Sequence, residues 1–176
     1  EFAILPLAEN GNFFYFEVTA VWLVEADQSY DVRHTGVSQQ MILIRTEAGA
    51  GEIFLTHQRR LTLLPQTFFA VASTEIVRYR THGETWQFSW WAGHAYGALP
   101  FTLAQIYETN VSESWEKSAE ILQKFQSPGE HHRRQGMTMF QALLGQWLPA
   151  NDAPASRVTA ALNYMHYHLD EPCDIR

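Results

Sequence analysis

The apolar pattern of this chain changes its period once, and that change fixes what the chain can fold into. From about Phe13 to Ala92, apolar residues come in short runs or alternate with polar ones, as in Phe13–Val24, Gln40–Thr46, Ile53–Thr56, Arg60–Leu64, Phe68–Ala72, Ile76–Arg80 and Trp86–Trp91. Such runs read as many short strands. In Trp86-Gln87-Phe88-Ser89-Trp90 the aromatics fall on every second residue. One pleated face therefore carries Trp86, Phe88 and Trp90, and that face is buried or lines a pocket. Glu47-Ala48-Gly49-Ala50-Gly51 and His82-Gly83-Glu84 are read as tight reversals between strands, which predicts an antiparallel sandwich or barrel over about residues 13–100.

After Pro100 the spacing moves to three and four residues, the period of an amphipathic helix. Ser114 is the expected cap of a helix whose apolar face is Trp115, Ala119, Leu122 and Phe125, ended by Ser127-Pro128-Gly129. Glu130 to Gly136 reads as a polar hinge. A second helix follows with the stripe Met137, Phe140, Leu143, Leu144, Trp147 and Leu148, closed by Pro149. The small-residue, proline-bearing stretch 149–156 has the composition of a linker. Beyond it, Val158, Leu162, Met165 and Leu169 form a third helical stripe with no following partner, so the natural polypeptide is expected to continue.

Composition narrows the classes of function. The chain has 176 residues, 46% of them hydrophobic, enough to bury one substantial core. Its formal net charge of -7 repels a phosphate backbone on average, so the chain by itself is not expected to grip DNA strongly. With Cys173 as its one cysteine, it can form no internal disulfide and no cysteine-rich zinc site. A cytoplasmic location is the expectation, and no apolar run approaches the roughly 20 residues that a membrane helix requires. The histidines lack ligand spacing: His34, His57, His82 and His94 are scattered and read as solvated loop residues, and His166 and His168 diverge around a helix.

In order and spacing, four stretches resemble the AraC family of transcription regulators. They are Gly49-Ala50-Gly51, Leu61-Thr62-Leu63-Leu64-Pro65, Thr74 to Tyr79, and Trp86 to Trp90. The segment from Arg157 to Leu169 with Glu171-Pro172 resembles the opening of that family's DNA-binding half. The resemblance implies a mainly β fold with α: a cupin-like antiparallel β-barrel (jelly roll), two antiparallel helices, and the truncated first helix of a helix-turn-helix domain. The implied domains are residues 1–148 for effector binding and dimerisation, 149–156 as linker, and 157–176 as the start of the DNA-binding domain. Roughly 100 further, more basic residues would complete it. The chain departs from the family at Gln66, Ala72, Ser73, Thr74 and Val77. It lacks the histidines with which enzymatic cupins hold a metal, so neither metal nor cofactor is expected.

The resemblance also places a site. By likeness to the family's arabinose-binding member, Thr19 and Arg33 fall at sugar-contacting positions, Tyr79 at a contacting tyrosine, and Trp90 at the tryptophan on which the ring stacks. Phe88 stands where that member has a histidine. With Trp86 these residues make a candidate wall, although Trp86, Phe88 and Trp90 are equally suited to filling a small barrel. Leu143, Leu144 and Trp147 are the expected dimerisation anchors of a homodimer whose DNA contacts lie in the missing half. The expected function is ligand-responsive transcription regulation, sensing a sugar or other small polar metabolite. The rivals are a cupin-type metal-dependent enzyme and a ligand-free dimerisation module.

Overall fold

A computed structural model describes residues 14–34, 39–109 and 111–148. The expected linker and the stripe from Val158 to Leu169 lie outside the described residues. Seven strands precede two helices: β1 (Phe14–Asp27), β2 (Asp31–Arg33), β3 (Met41–Leu55), β4 (Arg60–Leu63), β5 (Thr67–Ala72), β6 (Ile76–Gly97), β7 (Ile106–Glu108), α1 (Ser114–Gln126) and α2 (Glu130–Trp147). Every pairing is antiparallel. The order is β1-β6-β3-β5-β7, with β2 added to β6 and β4 to β3. The fold is therefore the mainly antiparallel β architecture followed by two helices that the sequence predicts. Its sheet stays open, because β1 and β7 stand at opposite ends of the order.

Two expected hairpins are instead bends inside long strands. Gly49 and Gly51 lie within β3, where the register against β6 shifts between Thr46 and Ala48 and again between Gly49 and Gly51. Gly49 pairs with Trp86 between these two shifts, and its φ of +64° is a conformation that glycine adopts without strain, so the strand bends without reversing. Gly83 likewise lies inside β6. The consequence is a division of labour along β3 and β6. Their Met41–Thr46 and Phe88–Gly93 portions pair with β5 and β1, while their Gly51–Phe54 and Arg78–Arg80 portions pair with β4 and β2.

The sheet is buried on both faces, which is why Met41-Ile42-Leu43-Ile44 and Phe68-Phe69-Ala70-Val71 are continuous apolar runs. Met41, Leu43, Phe68, Ala70 and Trp91 pack toward the helices with Phe140, Leu143, Leu144 and Trp147. Ile42, Ile44, Phe69, Val71, Phe88 and Trp90 share a second core on the opposite face. Each fully buried residue of this size contributes roughly 1.5–3 kcal/mol relative to exposure.

The helices correct three expectations. Glu130 to Gly136 is no hinge but the first two turns of α2. In α1 the buried positions are Ser114, Ser118 and Ile121, one step round from the predicted stripe, and Ala119 is exposed. Small serines let the helix approach the sheet closely, and Ser114 is no cap: its Oγ accepts the Trp147 indole N–H at 3.0 Å. Third, Leu143, Leu144 and Trp147 are 2%, 1% and 0% exposed within one chain. They hold α2 to the sheet, so they have no surface left to offer as dimerisation anchors. Neither helix is long and apolar enough to cross a membrane.

Candidate functional site

The cavity that gathers the most chemistry lies on the face of the sheet away from the helices. Its floor comes from the β1–β6 pair. Trp22 sits directly across from Trp90 and Val24 from Phe88, so alternate residues of both strands turn the same way. Its far wall depends on the reversal after β1. Asp27 accepts hydrogen bonds from the Ser29 backbone N–H (2.8 Å) and hydroxyl (2.6 Å), and the Tyr30 N–H donates to the Asp27 carbonyl. This is an Asx-type turn. It lays β2 along the first half of β6, and Thr81 N–H to the Tyr30 carbonyl (3.0 Å) and His34 N–H to the Val77 carbonyl (2.9 Å) fix both ends.

The result is a cavity of about 300 Å³ lined by Trp22, Val24, Tyr30, His34, Tyr79, Phe88 and Trp90. The Tyr79 and Trp90 rings lie 4.6 Å apart, tilted by 33°. His34 stands 6.1 Å from Trp90 and 6.2 Å from Tyr79, and its Nε2 shares a 3.0 Å hydrogen bond with Ser73 Oγ. Burial pulls the His34 imidazole below its ordinary value, which favours the neutral ring. Burial also raises the Tyr30 and Tyr79 phenols. None of the seven lining residues is an Asp, Glu, Lys or Arg. The site is built for neutral rings and apolar surface, with few polar groups.

No protein-family model matches the chain, and no curated protein does. Among solved structures, it is similar to an HTH_3 family transcriptional regulator from Vibrio cholerae, with a TM-score of 0.36 and 9% identity over 46% of this chain and 51% of that one. It is also similar to the AraC-like transcriptional activator CuxR, with a TM-score of 0.36 and 15% identity over 92% of this chain and 62% of that one. Both of these neighbours are transcriptional regulators, and the chain spans less than two thirds of either.

Of the residues singled out from sequence, Tyr79, Phe88 and Trp90 come together around the cavity. Trp86 lies behind them: it is fully buried, stacks on Phe88 at 3.8 Å, and donates its indole N–H to Thr46 Oγ1 at 3.2 Å. Its ring also occupies the space that a Cβ on Gly51 would need, at 2.2 Å. Thr19 sits at the bulge of β1, where its hydroxyl donates to the Ala92 carbonyl and accepts from Gln40. Arg33 is exposed at the end of β2. Neither is in the wall.

Trp22, Val24, Tyr30 and His34 line the cavity and were missed. For Trp22 and Val24 the signal was present, since they alternate along the Phe13–Val24 run. His34, read as a solvated loop residue, is drawn in by the turn that precedes β2.

A second concavity, about 530 Å³, runs between β1 and α2 and includes Tyr15, Glu17, Arg133, Arg134 and Gln141. It is larger but shallower, and Gln141 there is engaged in bracing the helix against Phe16, donating to its carbonyl at 2.6 Å. Among the described residues, no group of three His, Cys, Asp or Glu side chains is placed to hold a metal ion.

Proposed function

We infer that this chain is the effector-sensing part of an AraC-type transcription regulator, and that the aromatic cavity between β1, β2 and β6 is where a small-molecule effector binds. The observation that carries the reading is the cavity itself: about 300 Å³ left open among Trp22, Tyr30, Tyr79, Phe88 and Trp90. A pocket lined by aromatics with few convergent polar groups is what small-molecule sites require. Order of elements and sequence resemblance support the regulator assignment. DNA contact falls to the sequence from Arg157 onward. A homodimer would use outward helix faces, since Leu143, Leu144 and Trp147 are occupied inside the chain. No residue is given a catalytic role.

An effector switches such a protein only through its difference in affinity for two arrangements. Tyr30 and His34 flank β2, a strand of three residues held to β6 alone, so one wall of the cavity rests on a short edge strand. The test is thermal unfolding across sugars, sugar acids, aromatic acids and organic cations. A true effector at about 100 times its dissociation constant adds about 2.7 kcal/mol. The reading predicts that at least one class raises the melting temperature and that Trp22→Ala abolishes the rise. If no class moves the melting point, the sensor assignment fails.

A further inference from the structure

The chemistry of the cavity wall selects among ligands. Five of its seven residues are aromatic, and the rings are set at wide angles: Tyr30 to Tyr79 at 50°, Tyr30 to Phe88 at 59° and Phe88 to Trp90 at 65°, with centroids 6.1–6.5 Å apart. Tyr79 and Trp90 lie closer, 4.6 Å apart at 33°, so these two rings pack against each other while the rest meet at wider angles. Aromatic rings carry negative electrostatic potential on their faces, and five such rings line this cavity.

Hydrogen-bonding capacity, by contrast, is scarce. The Tyr30 and Tyr79 phenols face each other, with ring centroids 6.1 Å apart, and His34 Nε2 is engaged with Ser73. A sugar would bring several hydroxyls to a wall that can satisfy few of them. A primary ammonium would bring three N–H donors to a wall without a carboxylate, and an anion would face the negative side of the rings with no cation to meet it. An ammonium whose N–H groups are all replaced by carbon needs no acceptor. Its charge is spread over an apolar surface that suits aromatic faces. The chain's net charge of -7 draws cations toward it at long range.

We propose that the cavity formed by Trp22, Tyr30, Tyr79, Phe88 and Trp90 is an aromatic cage for a quaternary ammonium compound, so that the effector class is an organic cation. This rests on the reading of the cavity as the effector site, and it replaces the carbohydrate expectation with a different recognition chemistry.

The experiment is calorimetric titration of the 176-residue protein with choline and with 3,3-dimethylbutan-1-ol, which has the same shape with carbon in place of the charged nitrogen. L-Arabinose and benzoate are run in parallel, and all four are repeated on Trp22→Ala and Trp90→Leu. Trp22 is half-exposed at the mouth, so its removal leaves the core intact even if Trp90→Leu does not fold. Choline is expected to bind at least ten-fold more tightly than the neutral isostere, and Trp22→Ala to erase that preference. Equal binding of choline and the isostere overturns the cage while leaving the effector site standing. Binding of arabinose or benzoate without choline does the same. Binding of none of the four overturns the cage outright, and the sensor assignment falls with it only if the wider melting panel is also silent.

Discussion

Replacing Trp147 by alanine tests whether the end of α2 belongs to the core of one chain or to a contact between chains. The side chain is fully buried, with ring centroids 6.1 Å from Phe68 and 6.2 Å from both Trp91 and Phe140. Truncating an aromatic so placed costs about 3–5 kcal/mol. The indole N–H also donates to Ser114 Oγ, a hydroxyl that is itself buried, and leaving such a group unpaired costs about 1–3 kcal/mol more. Water entering the new cavity recovers part of that second cost, so roughly 4–6 kcal/mol is expected in total. Set against a typical stability of about 5–15 kcal/mol, the variant should be barely folded. Its melting temperature should fall by roughly 15 °C. Trp147→Phe, which keeps most of the ring, should cost about 1–2 kcal/mol. Circular dichroism melts with sedimentation velocity on the same samples separate the two possibilities. A variant that melts with the parent but sediments at a lower mass would show that Trp147 is an intermolecular anchor, and the packing argument would be wrong.

Glu52 is fully buried and is clamped by Arg60 and by Arg80, with His82 at 3.4 Å. Because Arg80 still holds the carboxylate, Arg60→Ala should cost under about 1 kcal/mol, whereas removing both arginines strands a buried charge and should cost about 3–5 kcal/mol in urea titrations. Gly51→Ala would drive a methyl group into the Trp86 ring and should destabilise by about 1–3 kcal/mol, read from the same titrations. His34 has its folded value depressed by burial, so on acidification the unfolded chain takes up the proton first. Stability should therefore fall as pH drops below the ordinary histidine value near 6.5, and His34→Gln should flatten that part of the profile; an unchanged slope would mean the imidazole is not buried in solution.

The period of the apolar pattern carried most of the fold, because strand and helix faces must match the core whatever the details. What it could not carry was direction at the glycines. Gly49 and Gly51 satisfy a hairpin and a bulged strand equally well, and the choice is made by the pairing of β3 with β6 over its whole length. The stripe of α1 was misread by one position because Ser114 and Ser118 face the core, and close packing rather than hydrophobicity puts them there. Arg45 and Glu52, both fully buried, carry no sequence sign of burial: Arg45 donates to the Thr109 carbonyl beside Glu47, and Glu52 is held by Arg60 and Arg80 through strand pairing that the sequence does not display. The site divides along the same line. Phe88 and Trp90 are legible from strand alternation, while Tyr30 and His34 arrive through a turn set by Asp27 and Ser29, which alternation does not describe.

The aromatic cavity is tested most directly by a crystal structure of the protein with whichever compound raises its melting temperature most. The expected result is ligand density enclosed by Trp22, Tyr30, Tyr79 and Trp90, with the ligand's charged or flat face against the Trp90 ring. Density in the groove between β1 and α2 beside Arg133 and Gln141, with the aromatic cavity unchanged, would contradict it.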